Sequence, residues 1–426
     1  MSTFSERREF LKTMGAMSLA AWGIVPRRVQ GAAKARVVVV GGGYGGAIAA
    51  KYLKLAEPEM EVVLIERSKQ YVSCPLSNEV VGGNAAIESL TFTYDNLARR
   101  GIKVVHDSVT AIDPVARTVR IAGGHVFNYD HCVVSPGVDF LWGEIEGYDE
   151  AASQIMPHAW KAGAQTLLLA KQIRDMRDGG VVIISAPLDP FRCPPGPYER
   201  ACVIAGYLKK HKPRSKVIIL DAKETFSKKP LFEQGWQQHY EGYITWVSGE
   251  KGGEVVRVDP KTMSVYTDKE KFKGDVVNII PSQSAGAIAV QAGLAKKGDW
   301  CPVNFATFES KHHKNIHVIG DAVESPMPKS GYSANSHAKV AVAAILAALR
   351  NEPLVPPALT NTCYSLITPE HGISVAHIYE LKEGNKLALV PGSGGVSPMD
   401  ASPAFRKLEA IYAHSWFKNI TTEMFG

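Results

Sequence analysis

A chain of 426 residues, 45% of them hydrophobic, is long enough to bury large cores and is expected to fold as two or three domains. Its formal charge of +6 includes a leader in which Arg7, Arg8, Lys12, Arg27 and Arg28 stand against Glu6 and Glu9, so the remainder is mildly basic and a nucleic-acid partner is excluded. Six cysteines in this length make no disulfide scaffold, and neither a Cys-x-x-Cys-His haem attachment nor a Cys-x-x-Cys pair for zinc occurs.

Residues 1–32 read as a twin-arginine export signal. Arg7 and Arg8 are followed by Phe10, Leu11 and Lys12, and the uncharged run from Thr13 to Pro26 is too short to span a bilayer. Gly31, Ala32 and Ala33 offer a cleavage site, and the expected destination is the periplasm. Arg36 to Gly46 comes next. Its four valines predict a strand buried on both faces, and Gly41, Gly43 and Gly46 fit G-x-G-x-x-G. The first glycine allows a tight turn, the second lets a pyrophosphate reach the backbone, and the third lets helix and strand pack closely. Ala47 to Leu55 is predicted as the helix, with Ile48, Tyr52 and Leu55 toward the core. A second strand ends at Glu66, twenty residues after Gly46, where a ribose hydroxyl would be held. Together these features predict dinucleotide binding, against the plainer reading of a glycine-rich turn between core strands. Residues 33–146 are assigned as the first part of that domain.

The loop Tyr71 to Gly83, carrying Cys74, follows the second strand. Val104, Val109, Ile112, Val119 and Ile121 predict a small antiparallel excursion, and Tyr129 to Gly137 returns as a buried strand. A second βαβ unit, within residues 147–287, has strands at Val181–Ser185 and Val217–Asp221 and a helix from Tyr198 to Lys210. Between them the loop Ala186 to Pro197 supplies prolines where a glycine fingerprint belongs, so a nicotinamide nucleotide is not expected there. Cys193 lies in this loop, predicted extended ahead of Pro194, and Glu199 falls in the first helical turn. The uncharged run Val276 to Ala295 contains Pro281, Ser282, Gln283, Ser284 and Gln291 and reads as strand, loop and helix, not as a membrane span.

Residues 288–352 return to the first domain. A late strand ends in Gly320-Asp321, and Asp321 is in the position that binds the ribityl or pyrophosphate of FAD in enzymes of this architecture. Lys329 precedes a helix running from Ser330 to Arg350. A Pro-rich break at Glu352 to Pro357 opens a C-terminal α+β interface domain, 353–426, in which Asn361-Thr-Cys363 comes first and a helix last. The fold class is therefore α/β, two Rossmann-like domains plus this last domain.

With these motifs in this order, the whole chain resembles the flavoprotein subunits of flavocytochrome c sulfide dehydrogenases. The resemblance implies an arrangement of the two Rossmann-like domains like that of glutathione reductase and FAD bound covalently through Cys74, with Pro75 standing where the family often has an aromatic residue. It also implies a redox-active Cys193–Cys363 disulfide over the flavin, and a c-type cytochrome subunit as electron acceptor. Hydrogen sulfide would be the substrate, with no insertion in a membrane. Spacing alone leaves the cysteine pairing open, and Cys132, Cys202 and Cys301 read as buried free thiols. Glu199 is either a proton acceptor beside Cys193 or an acid placed by the helix dipole. Lys329 either offsets charge on the reduced ring or is solvated, and Trp416 either walls the flavin or packs in the core. Two other functions stay open. One is a sulfide:quinone reductase at the membrane, although the closing segment from Phe405 mixes Arg406, Lys407, Glu409, His414 and Lys418 into its apolar residues. The other is a periplasmic electron-transfer flavoprotein with a structural disulfide.

Overall fold

The computed structural model describes residues 35–426; the expected export signal lies outside them. The first unit opens with strand β1 (Arg36–Val40), helix α1 (Gly46–Ala56), β2 (Glu61–Ile65), β3 (Lys103–Val105) and β4 (His131–Val134). β1 pairs in parallel with β2 on one side and β4 on the other, so its valines are covered on both faces and Val37 to Val40 are at most 5% exposed. The second unit contains β5 (Val181–Ala186), α2 (Gly196–His211), β6 (Lys216–Asp221), β7 (Ile244–Val247) and β8 (Val276–Ile279), an all-parallel sheet in the order β7-β6-β5-β8. The chain then returns through β9 (Val303–Asn304), β10 (Glu309–Ser310) and β11 (Ile316–Val318), completing a seven-stranded sheet in the order β9-β10-β11-β4-β1-β2-β3. Helix α3 (Gly331–Arg350) follows, with Ser330 capping it by accepting from the Ser333 N–H.

The two passages between the units run side by side. Val138–Phe140, going out, pairs antiparallel with Gln283–Ala285, coming back. Beyond α3, strands β12 (Ala358–Thr368), β13 (His371–Lys382) and β14 (Lys386–Leu389) form an antiparallel sheet, and helix α4 (Pro403–Phe425) lies on it. Ser402 caps α4 and Pro403 sits in its first turn, where a missing N–H costs nothing. The far end of α4 is fastened to the first unit. Lys51 donates to the carbonyls of Glu423 at 2.7 Å and Gly426 at 2.8 Å, and Phe425 stacks on Phe92 with ring centres 5.2 Å apart. Among the described residues no helix is long and apolar enough to cross a membrane.

Two local expectations need correction. Leu55 is 53% exposed, and the buried residue of that turn is Leu53. Helix α1 is covered by the sheet and by α3 as well, which turns Leu53 inward and leaves Leu55 at the open last turn. Val104 belongs to the edge strand β3, where it pairs in parallel with Leu64 of β2 and extends the first sheet. The antiparallel excursion is a separate three-stranded sheet spanning residues 109–128.

Candidate active site

Two cavities meet where the three parts of the chain converge. The larger, about 520 Å³, runs along the glycine turn to Asp321; the smaller, about 110 Å³, holds Cys193, Cys363 and Glu199. Cys74, Pro75, Arg192 and Gly331 line both. The larger has the size and chemistry of a dinucleotide site, while the smaller holds only a few molecules the size of water (~30 Å³ each).

The glycine turn shows why no other residue serves. Gly41 has φ +94°, and a Cβ on it would lie 2.3 Å from the Ser135 carbonyl oxygen; a Cβ on Gly46 would lie 1.8 Å from that of Gly41. At Gly43 the nearest atom to such a Cβ is 3.5 Å away, in the Tyr71 ring, so the position is open toward the cavity. Glu66 accepts from the N–H groups of Gly42 at 2.8 Å and Ser68 at 2.9 Å, tying the end of β2 to the turn beside the cavity.

A flavin dinucleotide fits the groups left open. The Asp321 Oδ1 and the Trp416 Nε1 are both buried without a hydrogen-bond partner, a costly condition unless a ligand supplies one. Burial raises the Asp321 pKa, with Arg192 and Lys329 opposing. The Trp416 indole lies nearly parallel to Tyr44 and Tyr332, at 6.5 and 6.4 Å between ring centres, and forms part of the smaller cavity's wall. Both residues were singled out by the sequence, and Trp416 both lines the cavity and packs against the first unit's core.

Cys193 departs from the extended form expected before proline: its φ is +58°. Its N–H donates to the Lys329 carbonyl at 2.8 Å and its carbonyl accepts from the Gly196 N–H at 2.8 Å, and this tight turn overrides the local preference. All six cysteines are free thiols in the structure. Burial raises the Cys193 thiol, with Cys363 and Glu199 adding to the shift and Arg192 and Lys228 opposing it. Cys363 is likewise raised by burial, with Lys228 opposing. Cys132, Cys202 and Cys301 are fully buried, and neither cavity wall includes them.

Glu199 joins three segments. Its Oε1 accepts from the Leu366 N–H at 2.9 Å, and its Oε2 accepts from the Asn78 Nδ2 at 2.8 Å. Burial raises its pKa, against these bonds and the cations Lys228 and Arg200. It also lines the cysteine cavity, so neither of its two readings excludes the other.

Lys329 is neither solvated nor directed at either cavity. It is 6% exposed, its Nζ donates to the carbonyls of Asp321 and Val323 at 2.9 and 2.8 Å, and it lies 3.5 Å from the centre of the Trp300 ring. Burial lowers its pKa to about 8. Its contribution at Cys193 is through its own carbonyl.

The cation at the junction is Arg192, which the sequence reading passed over. Its guanidinium donates to the Trp160 carbonyl; burial works against its charge, but Cys74, Asp321, Tyr71 and Cys193 hold its pKa above the ordinary value. The signal was there: it is the one cation in a proline loop, directly before Cys193. Two other cations were missed. Lys228 donates to the Cys363 carbonyl at 3.1 Å and the Ser365 Oγ at 2.9 Å. Arg200, 2% exposed, donates to Asn78, Asn278 and the carbonyls of His158 and Ala159 beneath the cavity. Nothing in the local sequence marks either, since their partners are about 40 to 140 residues away.

Comparison with known proteins agrees with this geometry. Residues 166–281 match the family model for the central part of the sulfide dehydrogenase (flavocytochrome c) flavoprotein chain, and residues 355–425 match the flavocytochrome c sulphide dehydrogenase flavin-binding model. Residues 35–166 match the pyridine nucleotide-disulphide oxidoreductase model. A sulfide dehydrogenase (flavocytochrome c) flavoprotein chain from Chlorobaculum thiosulfatiphilum is 56% identical over 45 residues, 11% of this chain and 94% of that sequence. A mitochondrial sulfide:quinone oxidoreductase of Dictyostelium discoideum is 23% identical over 323 residues, covering 72% of this chain and 69% of that one. The sulfide:quinone oxidoreductase structure from Aquifex aeolicus shares the fold, with a TM-score of 0.74 at 18% identity and 92% coverage of both chains. The chain binds FAD as an oxidoreductase of the sulfide-oxidising type, and it belongs to the flavoprotein chains of the flavocytochrome c sulfide dehydrogenases.

Proposed function

We propose that this protein oxidises hydrogen sulfide at a Cys193–Cys363 disulfide, holds FAD covalently through Cys74, and passes electrons to a c-type cytochrome subunit in the periplasm. The observation that carries the reading is the meeting of Cys193, Cys363 and Glu199 in a small cavity that opens at Cys74 onto the dinucleotide cavity. The bound flavin would supply a two-electron acceptor that gives electrons up singly. Gly41, Gly43, Gly46, Glu66, Asp321 and Trp416 would hold it.

Hydrosulfide is small enough for the inner cavity and attacks one sulfur of the disulfide. The Cys–Cys bond breaks, a new sulfur–sulfur bond to the substrate forms, and the second cysteine leaves as a thiolate. Arg192 and Lys228 favour that thiolate against the burial that opposes it. Glu199 accepts the substrate proton from its fixed position between Leu366 and Asn78. When the two electrons have passed on, the disulfide re-forms and the substrate sulfur leaves as sulfur or on a growing polysulfide.

A second reading, sulfide:quinone reduction, is favoured by one surface feature. Leu408, Ile411 and Tyr412 on α4 are 45%, 52% and 49% exposed and share one side of the helix, a stripe suited to a membrane surface. Anaerobic addition of sulfide, then of cytochrome c or a soluble quinone, separates the two. Reoxidation of the bleached flavin by cytochrome c supports the first reading, and reoxidation by quinone alone supports the second.

A further inference from the structure

A dinucleotide has fixed bond lengths, so a protein that grips its pyrophosphate and also bonds its ring has to set the distance between the two grips. Here one grip is the glycine turn and the other is the loop of Cys74. We propose that the Tyr44–Ser73 hydrogen bond fixes the Cys74 loop against the glycine turn, so that bound flavin becomes linked to the cysteine. Tyr44 and Ser73 are then positioning residues. The proposal rests on the reading that Cys74 carries FAD, and it names what lets that bond form.

Tyr44 is part of the turn itself, between Gly43 and Gly45, and it lines the larger cavity. Its hydroxyl lies 2.8 Å from the Ser73 Oγ, 29 residues further along the chain. The Ser73 hydroxyl donates in turn to the Pro75 carbonyl at 3.0 Å. A hydroxyl has one proton, so the Tyr44 O–H donates and the Ser73 oxygen accepts. Ser73 thereby closes a bridge over Cys74, from the residue before it to the residue after it. The rest of the loop is tied as well. The Ser73 N–H donates to the Leu90 carbonyl at 2.9 Å, and the Cys74 carbonyl accepts from the Ser77 N–H at 3.0 Å. Ser73 is fully buried and lines neither cavity, so its hydroxyl acts on the loop and not on a ligand.

The Tyr44 ring is held on three sides. Tyr71 meets it edge-on with ring centres 6.0 Å apart, Trp416 lies parallel at 6.5 Å, and a Cβ on Gly331 would come within 2.9 Å of it. Burial raises the pKa of its hydroxyl, which stays protonated and able to donate. Any buried tyrosine needs a partner for its hydroxyl. This partner adjoins Cys74, the cysteine that lines both cavities. Forming the link breaks the thiol S–H bond and one C–H bond of the flavin's benzenoid methyl group, and makes one C–S bond. Two electrons and two protons pass to the ring, so the flavin is its own oxidant in this step, and the acceptor that serves turnover reoxidises it. The chain's part is to hold the sulfur in place.

The test follows flavin linkage in full-length native protein, Tyr44→Phe and Ser73→Ala, each purified with its FAD. Total flavin is read from absorbance, and linked flavin from the colour left on the polypeptide after acid denaturation, in samples taken over time. Native protein should be fully linked. In both variants total flavin should stay close to native, because the glycine turn and Asp321 are untouched. Linkage should slow by about 100-fold, as a misplacement of about 1 Å can cost. Linkage as fast and complete as native in either variant would overturn the proposal; a slow Tyr44→Phe beside a normal Ser73→Ala would mean that the tyrosine does not act through the serine. Flavin content falling together with linkage would overturn it equally, since the pair would then shape the whole site. Should Tyr44→Phe fail to fold, Ser73→Ala decides by the same outcomes. Free FAD in the acid supernatant of native protein removes the Cys74 reading itself, whereas linked native protein beside linked variants removes only the positioning.

Discussion

Cys74, Cys193 and Cys363 carry the same side chain, and their surroundings give them different work. Cys74 lies on both cavities, with its sulfur 3.8 Å from the Trp160 carbonyl, whereas the other two face only the inner one. Denaturing the protein in acid should leave the yellow colour on the polypeptide, and Cys74→Ser should release it; free FAD in the supernatant of native protein would refute the link. Cys193→Ser and Cys363→Ser should each keep FAD and still be bleached by dithionite, but not by sulfide. Normal sulfide-dependent cytochrome reduction in either would make the pair merely structural. Gly46→Ala brings a Cβ within 1.8 Å of a backbone oxygen, which cannot move without opening the turn, so FAD content after purification should fall sharply. At this scale the sequence was legible as placement: Gly41, Cys74, Asp321 and Cys363, each a rare residue in a rare setting, all line one or both cavities. It was not legible where function depends on direction. Lys329 stands in the predicted place with its ammonium turned to backbone carbonyls, and a cation that lines both cavities is Arg192.

The elements followed the periodicity more faithfully than the side chains did. Both βαβ units, the late strand at Ile316–Val318 and the long helix after Ser330 stand where hydrophobic runs and caps put them. The exceptions have a common cause. Val104 joined a sheet edge and Leu55 faced water because neighbours far along the chain decided which surfaces were covered. The loop after β5 shows how a missing feature carries function. It ends in Pro194, Pro195 and Pro197 and closes on Cys193 through bonds to Lys329 and Gly196, with no glycine turn to approach a second pyrophosphate. NADH should therefore leave the flavin oxidised over the time in which sulfide bleaches it completely, and rapid bleaching by NADH would mean that this loop admits a nucleotide after all.

For the whole molecule the open matter is where the electrons go. These residues contain no haem attachment motif, so on the cytochrome reading the haem is carried outside them. Co-purification of a c-type cytochrome with the native protein is the expected result; isolation alone, with turnover on quinone and none on cytochrome, would favour the membrane reading. The architecture also sets a timetable. Gly41 stands near the beginning of the described chain, while Asp321 and Trp416, both at the cavities with a buried group lacking a partner, come in its last third. The strands that complete the first sheet are made only after the second unit, and α4 is fastened to α1 last. A ribosome-bound chain therefore has the glycine turn early but lacks Asp321, Trp416 and the completed first sheet until late in synthesis. If the expected export signal is used, a flavin held by both early and late segments would have to be in place before the folded protein is moved.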